Sequence, residues 1–205
     1  MRVVVIANQF QKEELLAQGL KDDVDVHWQE EIKSVPATDC YIDLLFTASE
    51  KRIELLQQLR PALVVVNNVV AINMLPNNFI RINGWPAFLQ RPIVEASGYD
   101  EAAKEKAAKV FSGFHKTISW VPGNSGFITA RIVSMIINEA YLALQEGVST
   151  KEEIDIAMKL GTNYPYGPFE WAAKIGTRNV YDLLSALAAE KSHYSPAALL
   201  KKEAE

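Results

Sequence analysis

Cysteine is nearly absent. Cys40 is the only one in 205 residues, so no disulfide can form within the chain, and a reducing compartment fits. No apolar run approaches the roughly 18 residues that a membrane-spanning helix needs. The opening MRVVVIANQFQKEE turns polar too early for a signal peptide. The expected location is the cytoplasm. A long basic run is also missing and the net charge is −4, which argues against nucleic acid and anionic membrane as partners. Histidine is scarce, with only His27, His115 and His193. There is no internal repeat and no low-complexity tract.

What is present is a globular composition, 49% apolar and 22% charged, long enough for one large domain or two small ones. The first half alternates strands and helices. Val3 to Ile6 reads as a buried strand, Gln11 to Leu20 as a helix, and Val24 to Trp28 and Cys40 to Phe46 as strands. Ser49 caps a helix running to Leu59, and Ala62 to Val66 is the strongest strand. Shorter strands follow at Phe79 to Asn83 and Ile93 to Ala96. Asp100 caps a helix to Phe111, and Lys116 to Val121 is the last strand. Such alternation predicts an α/β fold with a doubly wound parallel sheet. The dozen residues between Trp28 and Cys40 are too few for another helix and strand. Pro122-Gly123 marks the expected boundary between a domain at 1–122 and a helical domain at 123–205.

The helical half begins with Phe127 to Glu146, apolar on most sides, its polar residues Arg131, Ser134, Asn138 and Gln145 sharing one stripe. Gly147 is expected to end it, Ser149 and Glu152 to form a capping box, and Gly161 to stop the second helix. Pro168 suits the first position of a third helix. Two more are expected at Asn179 to Glu190 and Pro196 to Ala204, the last capped by Ser195. Spacing alone is equally compatible with a plain helical bundle.

The wording is more specific than the spacing. SGFITARIVSMIINEAYLALQEGVSTKEEIDIAMKLGTNYPYGPFEW closely resembles the start of the C-terminal domain of 3-hydroxyacyl-CoA dehydrogenases, whose members read roughly PGFIxNR, NEA, EGV, IDxAM and GxxxPxGPFE. The resemblance implies a Rossmann-like domain followed by an all-α domain, NAD as cofactor, a 3-hydroxyacyl-CoA substrate, and dimerisation through the C-terminal helices.

Measured against that resemblance, the chemical positions are altered. A dinucleotide fingerprint needs three glycines after the first strand, for a tight turn, close approach of the pyrophosphate and helix packing. Those positions fall on Ala7, Gln9 and Lys12, so binding of NAD in the usual mode is not expected. Glu30 stands where an acid would hold the ribose, though a lone acid is more often a surface residue. The family's catalytic His, in GxHFFNP, lies twelve residues before a Glu. Counting back twelve from Glu95 lands on Asn83, an amide that cannot accept a proton near neutral pH. His115 reads as a surface residue. The Asn of PGFIxNR falls on Ala130, its Pro on Ser125, and the Ser of the family's NTS segment near Val69, beside Asn68.

The expectation is a relative that has lost hydride transfer and serves as a binding or scaffold protein for an acyl-CoA-like ligand, with Arg131, Glu95 and Asn68 as candidate contacts. The alternative is a working 3-hydroxyacyl-CoA oxidoreductase with an atypical site. Arg131 could anchor an anionic ligand or pair with Glu139 or Glu95. A homodimer is expected through the helical domain, on the apolar helix Phe127 to Leu144 and the aromatics Tyr164, Tyr166, Phe169 and Trp171, unless these aromatics pack within one chain.

Overall fold

The computed structural model describes residues 1–71 and 75–205. The chain divides into two compact units, Met1–Phe127 and Ile128–Glu205. The first unit therefore extends past Pro122-Gly123, for a physical reason. Gly126 N–H donates to the Val69 carbonyl at 2.8 Å, Ser125 Oγ accepts from Ala71 N–H at 2.9 Å, and Phe127 lies 5.1 Å from the Arg81 guanidinium. The strand ends near residue 120, but the chain after it stays on the sheet unit.

That unit contains β1 (Arg2–Ile6), α1 (Gln9–Leu15), β2 (Asp25–Gln29), β3 (Cys40–Asp43), α2 (Glu50–Gln57), β4 (Leu63–Asn67), β5 (Phe79–Ile82), β6 (Ile93–Ser97), α3 (Glu101–Gly113) and β7 (Thr117–Trp120). The sheet order is β2-β1-β3-β4-β5-β6-β7. Val3, Val4, Val5 and Ile6 are all fully buried, as a strand covered on both faces requires. Val3 and Val5 pack with Phe111 and Phe114 in one core, while Val4 and Ile6 join Tyr41 and Ala62 in another. Ser49 and Asp100 cap α2 and α3 through their side chains.

Two features depart from a fully parallel, complete sheet. β5 and β6 are antiparallel, whereas the other neighbouring pairs are parallel. Parallel pairing needs a crossover of a dozen or more residues, usually with a helix. The Asn83–Pro92 link offers only a short helical turn, so the chain comes straight back. The other departure is at the opposite edge. The segment between β2 and β3 is loop, tied down where Tyr41 OH accepts from Val35 N–H at 2.8 Å. Relative to the six-stranded order 3-2-1-4-5-6, the outermost strand and its helix are missing among the described residues.

The second unit holds α4 (Thr129–Gln145), α5 (Lys151–Thr162), α6 (Pro168–Ile175), α7 (Thr177–Ala188), a 3-10 turn at Ser192–Tyr194 and α8 (Ala198–Ala204). Gly147, at φ 71°, follows α4 as expected. Three caps differ from the sequence reading. The capping box of α5 is Thr150 with Glu153, and Ser149 instead donates its hydroxyl to Glu153. Asn163, at φ 56°, ends α5, with Gly161 inside its last turn. Ser195 does not cap α8; its hydroxyl donates to the Ser192 carbonyl at 2.6 Å.

Two residues of the polar stripe of α4 bond to the backbone beyond α7. Asn138 donates to the Ser195 carbonyl at 3.0 Å and accepts from Ala197 N–H at 2.8 Å, and Gln145 accepts from Leu199 N–H at 2.6 Å. These two side chains hold the C-terminal segment. Ile128 and Ile132 are about half exposed.

Candidate functional site

The tip of β1 comes first. Asn8 caps α1: its Oδ1 accepts from Gln11 N–H at 2.9 Å, and Gln11 Oε1 accepts from Asn8 N–H at 3.1 Å. Gln11 Nε2 also donates to the Leu44 carbonyl at 2.9 Å. Free N–H groups at a helix start are what would greet a pyrophosphate, and here the Asn8 and Gln11 side chains already take two of the N–H groups of this turn. Lys12 places its ammonium 5.0 Å from the Trp28 ring centroid, and Gln9 donates to Glu13 at 2.8 Å. An open recess of about 200 Å³ lies between this turn and Glu30. The residues present do not fit a dinucleotide in the manner of a glycine fingerprint.

Asn83 and Glu95 face each other across β5 and β6. Asn83 N–H donates to the Glu95 carbonyl at 3.0 Å, and its Nδ2 donates to Glu95 Oε2 at 3.2 Å. The carboxylate thus receives an N–H from its cross-strand neighbour, and that neighbour has no basic nitrogen with which to abstract a proton. Asn83 is 2% exposed and its Oδ1 accepts from Trp85 N–H at 3.4 Å. None of the three histidines substitutes for it. His27 approaches Asp25 on β2, His115 is exposed in a turn at φ 53°, and His193 packs on Tyr194.

The link after Asn83 is held by two buried charges. Glu14 Oε1 accepts from the N–H of Ala87 at 2.6 Å, a residue in the left-handed region at φ 70°. Lys116 Nζ donates to the carbonyls of Leu89 and Arg91 at 2.8 and 2.9 Å. Burial pushes the Lys116 ammonium down to about 8, against the opposing field of Glu14. Sequence reasoning took Lys116 only as the start of a strand and gave Glu14 no role; a buried lysine at a strand start carries no distinctive spacing.

Asn68 is buried at the end of β4, and its Nδ2 has no hydrogen-bond partner among the described residues. Its carbonyl accepts from Arg81 Nε and Nη2. In the other unit, Arg131 lies 5.6 Å from the Tyr194 ring centroid.

The motif letters of the helical unit prove to be framework. Asp155, of the IDxAM run, accepts through Oδ1 from Phe169 N–H at 2.8 Å and through Oδ2 from Glu170 N–H at 3.1 Å. It therefore caps α6 from outside the helix. A Cβ on Gly167 would lie 2.3 Å from that carboxylate, so the glycine of GPFE lets it approach. Asn138, of NEA, ties down the C-terminal segment. The expected interface aromatics are also internal in part: Phe169 and Trp171 are each 8% exposed and meet Tyr141 and Tyr166 edge to face at 5.0 Å. Among the described residues, no group of acids, cysteines or histidines could hold a metal ion, and no helix is long and apolar enough to cross a membrane.

Residues 126–205 match the family model of the 3-hydroxyacyl-CoA dehydrogenase C-terminal domain. A 3-hydroxyadipyl-CoA dehydrogenase of Escherichia coli is 39% identical over 114 residues, covering 55% of this chain and 24% of that protein. A 3-hydroxybutyryl-CoA dehydrogenase of Bradyrhizobium diazoefficiens is 31% identical over 165 residues, covering 74% of this chain and 56% of that one. The chain thus spans between about a quarter and about half of these relatives' lengths. Among solved structures, an (S)-3-hydroxybutyryl-CoA dehydrogenase of Ralstonia eutropha superposes with a TM-score of 0.74 at 20% identity, over 98% of this chain and 92% of that one. This likeness establishes the shared fold. Residues 126–205 thus belong to the C-terminal domain family of the 3-hydroxyacyl-CoA dehydrogenases, and the chain as a whole shares the fold of such a dehydrogenase.

Proposed function

We propose that the protein is a non-hydride-transferring member of its family, binding an acyl-CoA-like ligand in the cytoplasm. The observation that carries this reading is the Asn83–Glu95 pair, an amide on a carboxylate at 3.2 Å where a general base would stand. The self-capped start of α1 agrees with it. Glu95, Asn68 and Arg131 are the candidate ligand contacts. Titration calorimetry with NADH and with acetoacetyl-CoA tests the proposal. Heat from acetoacetyl-CoA and none from NADH is the expected result. NADH binding with a micromolar dissociation constant would overturn it.

A second reading, NAD-dependent oxidation of a 3-hydroxyacyl-CoA at an atypical site, is favoured by the activities for which the E. coli and B. diazoefficiens relatives are named. NADH binding in the same titration would favour it.

The self-association we propose runs through α4 and α5 rather than through the aromatic run. Ile128, Ile132, Ile156 and Leu160 are 51%, 53%, 53% and 83% exposed. Apolar exposure of this kind is a common mark of an interface. Light scattering at micromolar concentration is expected to give the mass of a dimer; a monomer mass that persists on concentration removes this part of the proposal.

A further inference from the structure

Arg81 sits within β5, in the run Phe-Ile-Arg-Ile, and is only 8% exposed. Its guanidinium is well used. Nε and Nη2 donate to the Asn68 carbonyl at 3.1 and 2.9 Å, Nη2 also reaches the Val69 carbonyl at 3.3 Å, and Nη1 donates to the Gly123 carbonyl at 2.7 Å. All these acceptors are neutral. Among the described residues Arg81 has no carboxylate within ion-pair distance, and Ile72, Asn73 and Met74 cannot supply one. Burial accordingly holds its pKa below the ordinary arginine value. Of the five N–H groups of a guanidinium, four bonds leave one on Nη1.

Beside Arg81 is a cavity of about 240 Å³, lined also by Asn77, Phe79, Ser97, Tyr99 and Gly123. The antiparallel register sets Ser97 directly opposite Arg81. With a side-chain period of two, both residues share the sheet face of Asn83 and Glu95, one pleat away. Gly123 completes the wall. A Cβ there would stand 3.1 Å from Ser97 Oγ, 3.3 Å from Tyr99 OH and 3.8 Å from Arg81 Nη1. Three donors therefore surround one spot that glycine leaves open. Neither hydroxyl has a hydrogen-bond partner among the described residues. Tyr99 is 77% exposed, so the spot is reached from solvent past its ring.

We infer that this cavity binds a small oxyanion, a carboxylate or phosphoryl group, with its charge on Arg81 and its oxygens on Ser97 and Tyr99. An unmatched buried cation gains most from an anion that also satisfies the free hydroxyls. The volume falls below the 300–1,000 Å³ of drug-sized pockets, so a small acid fits and a nucleotide does not. The inference is independent of whether the protein transfers hydride. The competing role for Arg81 is a tie between the chain after β4 and the segment at Gly123.

The test is a thermal-shift and calorimetric titration of the full chain with succinate, phosphate and chloride at matched ionic strength. A saturable response to succinate or phosphate, and none to chloride, is expected. Saturation by succinate alone assigns an organic acid, and by phosphate alone a phosphoryl group. Two variants leave the guanidinium and its carbonyl bonds in place. Ser97→Ala with Tyr99→Phe is expected to weaken binding at least ~10-fold, the loss of two hydrogen bonds to a charged group. Gly123→Ala puts a methyl group on the binding spot and is expected to abolish it. Gly123 lies outside the left-handed region, so alanine can adopt its backbone. No saturable response in the natural sequence, or an undiminished one in both variants, overturns the proposal.

Discussion

Arg52→Ala is expected to destabilise the sheet unit by about 3–5 kcal/mol, the penalty for stranding one partner of a buried ion pair. Asp43 lies at the end of β3 with its side chain fully buried. Arg52, on α2, grips it with two parallel bonds, Nε to Oδ2 and Nη2 to Oδ1, both at 2.7 Å. Burial raises the Asp43 pKa and the Arg52 bonds oppose that rise. Removing the guanidinium leaves the burial and takes away what offsets it. A paired replacement, Asp43→Leu with Arg52→Leu, removes both charges and is expected to lose much less, since apolar substitutes for buried pairs are often neutral. Chemical denaturation of the three proteins measures the difference. A loss below about 1 kcal/mol in Arg52→Ala would mean that water reaches the carboxylate and the pair is not buried in effect.

The second large effect is catalytic. With 3-hydroxybutyryl-CoA and NAD, the purified protein is expected to produce no NADH above background. A missing general base alone typically costs about 10²–10⁴ in rate. Asn83 presents an amide hydrogen to Glu95 rather than a basic nitrogen to substrate. Asn83→His would restore an imidazole next to the carboxylate, yet turnover is still not expected, because Asn8 and Gln11 continue to occupy the start of α1. Activity in the natural sequence that survives repurification and disappears in Glu95→Ala would refute this. Activity in Asn83→His alone would place the defect in the base and leave the cofactor turn competent.

Much of this was legible in the chain because it depends on neighbours in sequence. Ser49, Asp100 and Pro168 announced their helices, and the valines of β1 and β4 announced buried strands. The α5 cap was misplaced by one residue because Ser149 and Thr150 are each followed three residues on by a glutamate, so two boxes compete. The antiparallel turn of β6 was not legible, since apolar periodicity is the same for a strand run in either direction. The Asn83–Glu95 pair was found through a spacing borrowed from relatives, and cross-strand register is what brings the two together. Arg81 was overlooked. A lone charge inside an apolar strand has no period and no motif, but it was itself the signal, because a buried cation requires acceptors from somewhere.

The external cap that Asp155 places on α6 bears on how likeness among such chains is to be interpreted. Its two acceptor bonds and the bare Cα of Gly167 explain why an acid in IDxAM and a glycine in GPFE occur together. Asn138 serves the C-terminal segment in the same structural way. A protein could exchange its reaction for another, or give it up, and every one of these letters would still be required to close the helices on one another. The match over residues 126–205 therefore reports descent and shape. Assignment of an activity to any chain of this kind depends on positions outside that match, at the first strand's tip and across β5 and β6.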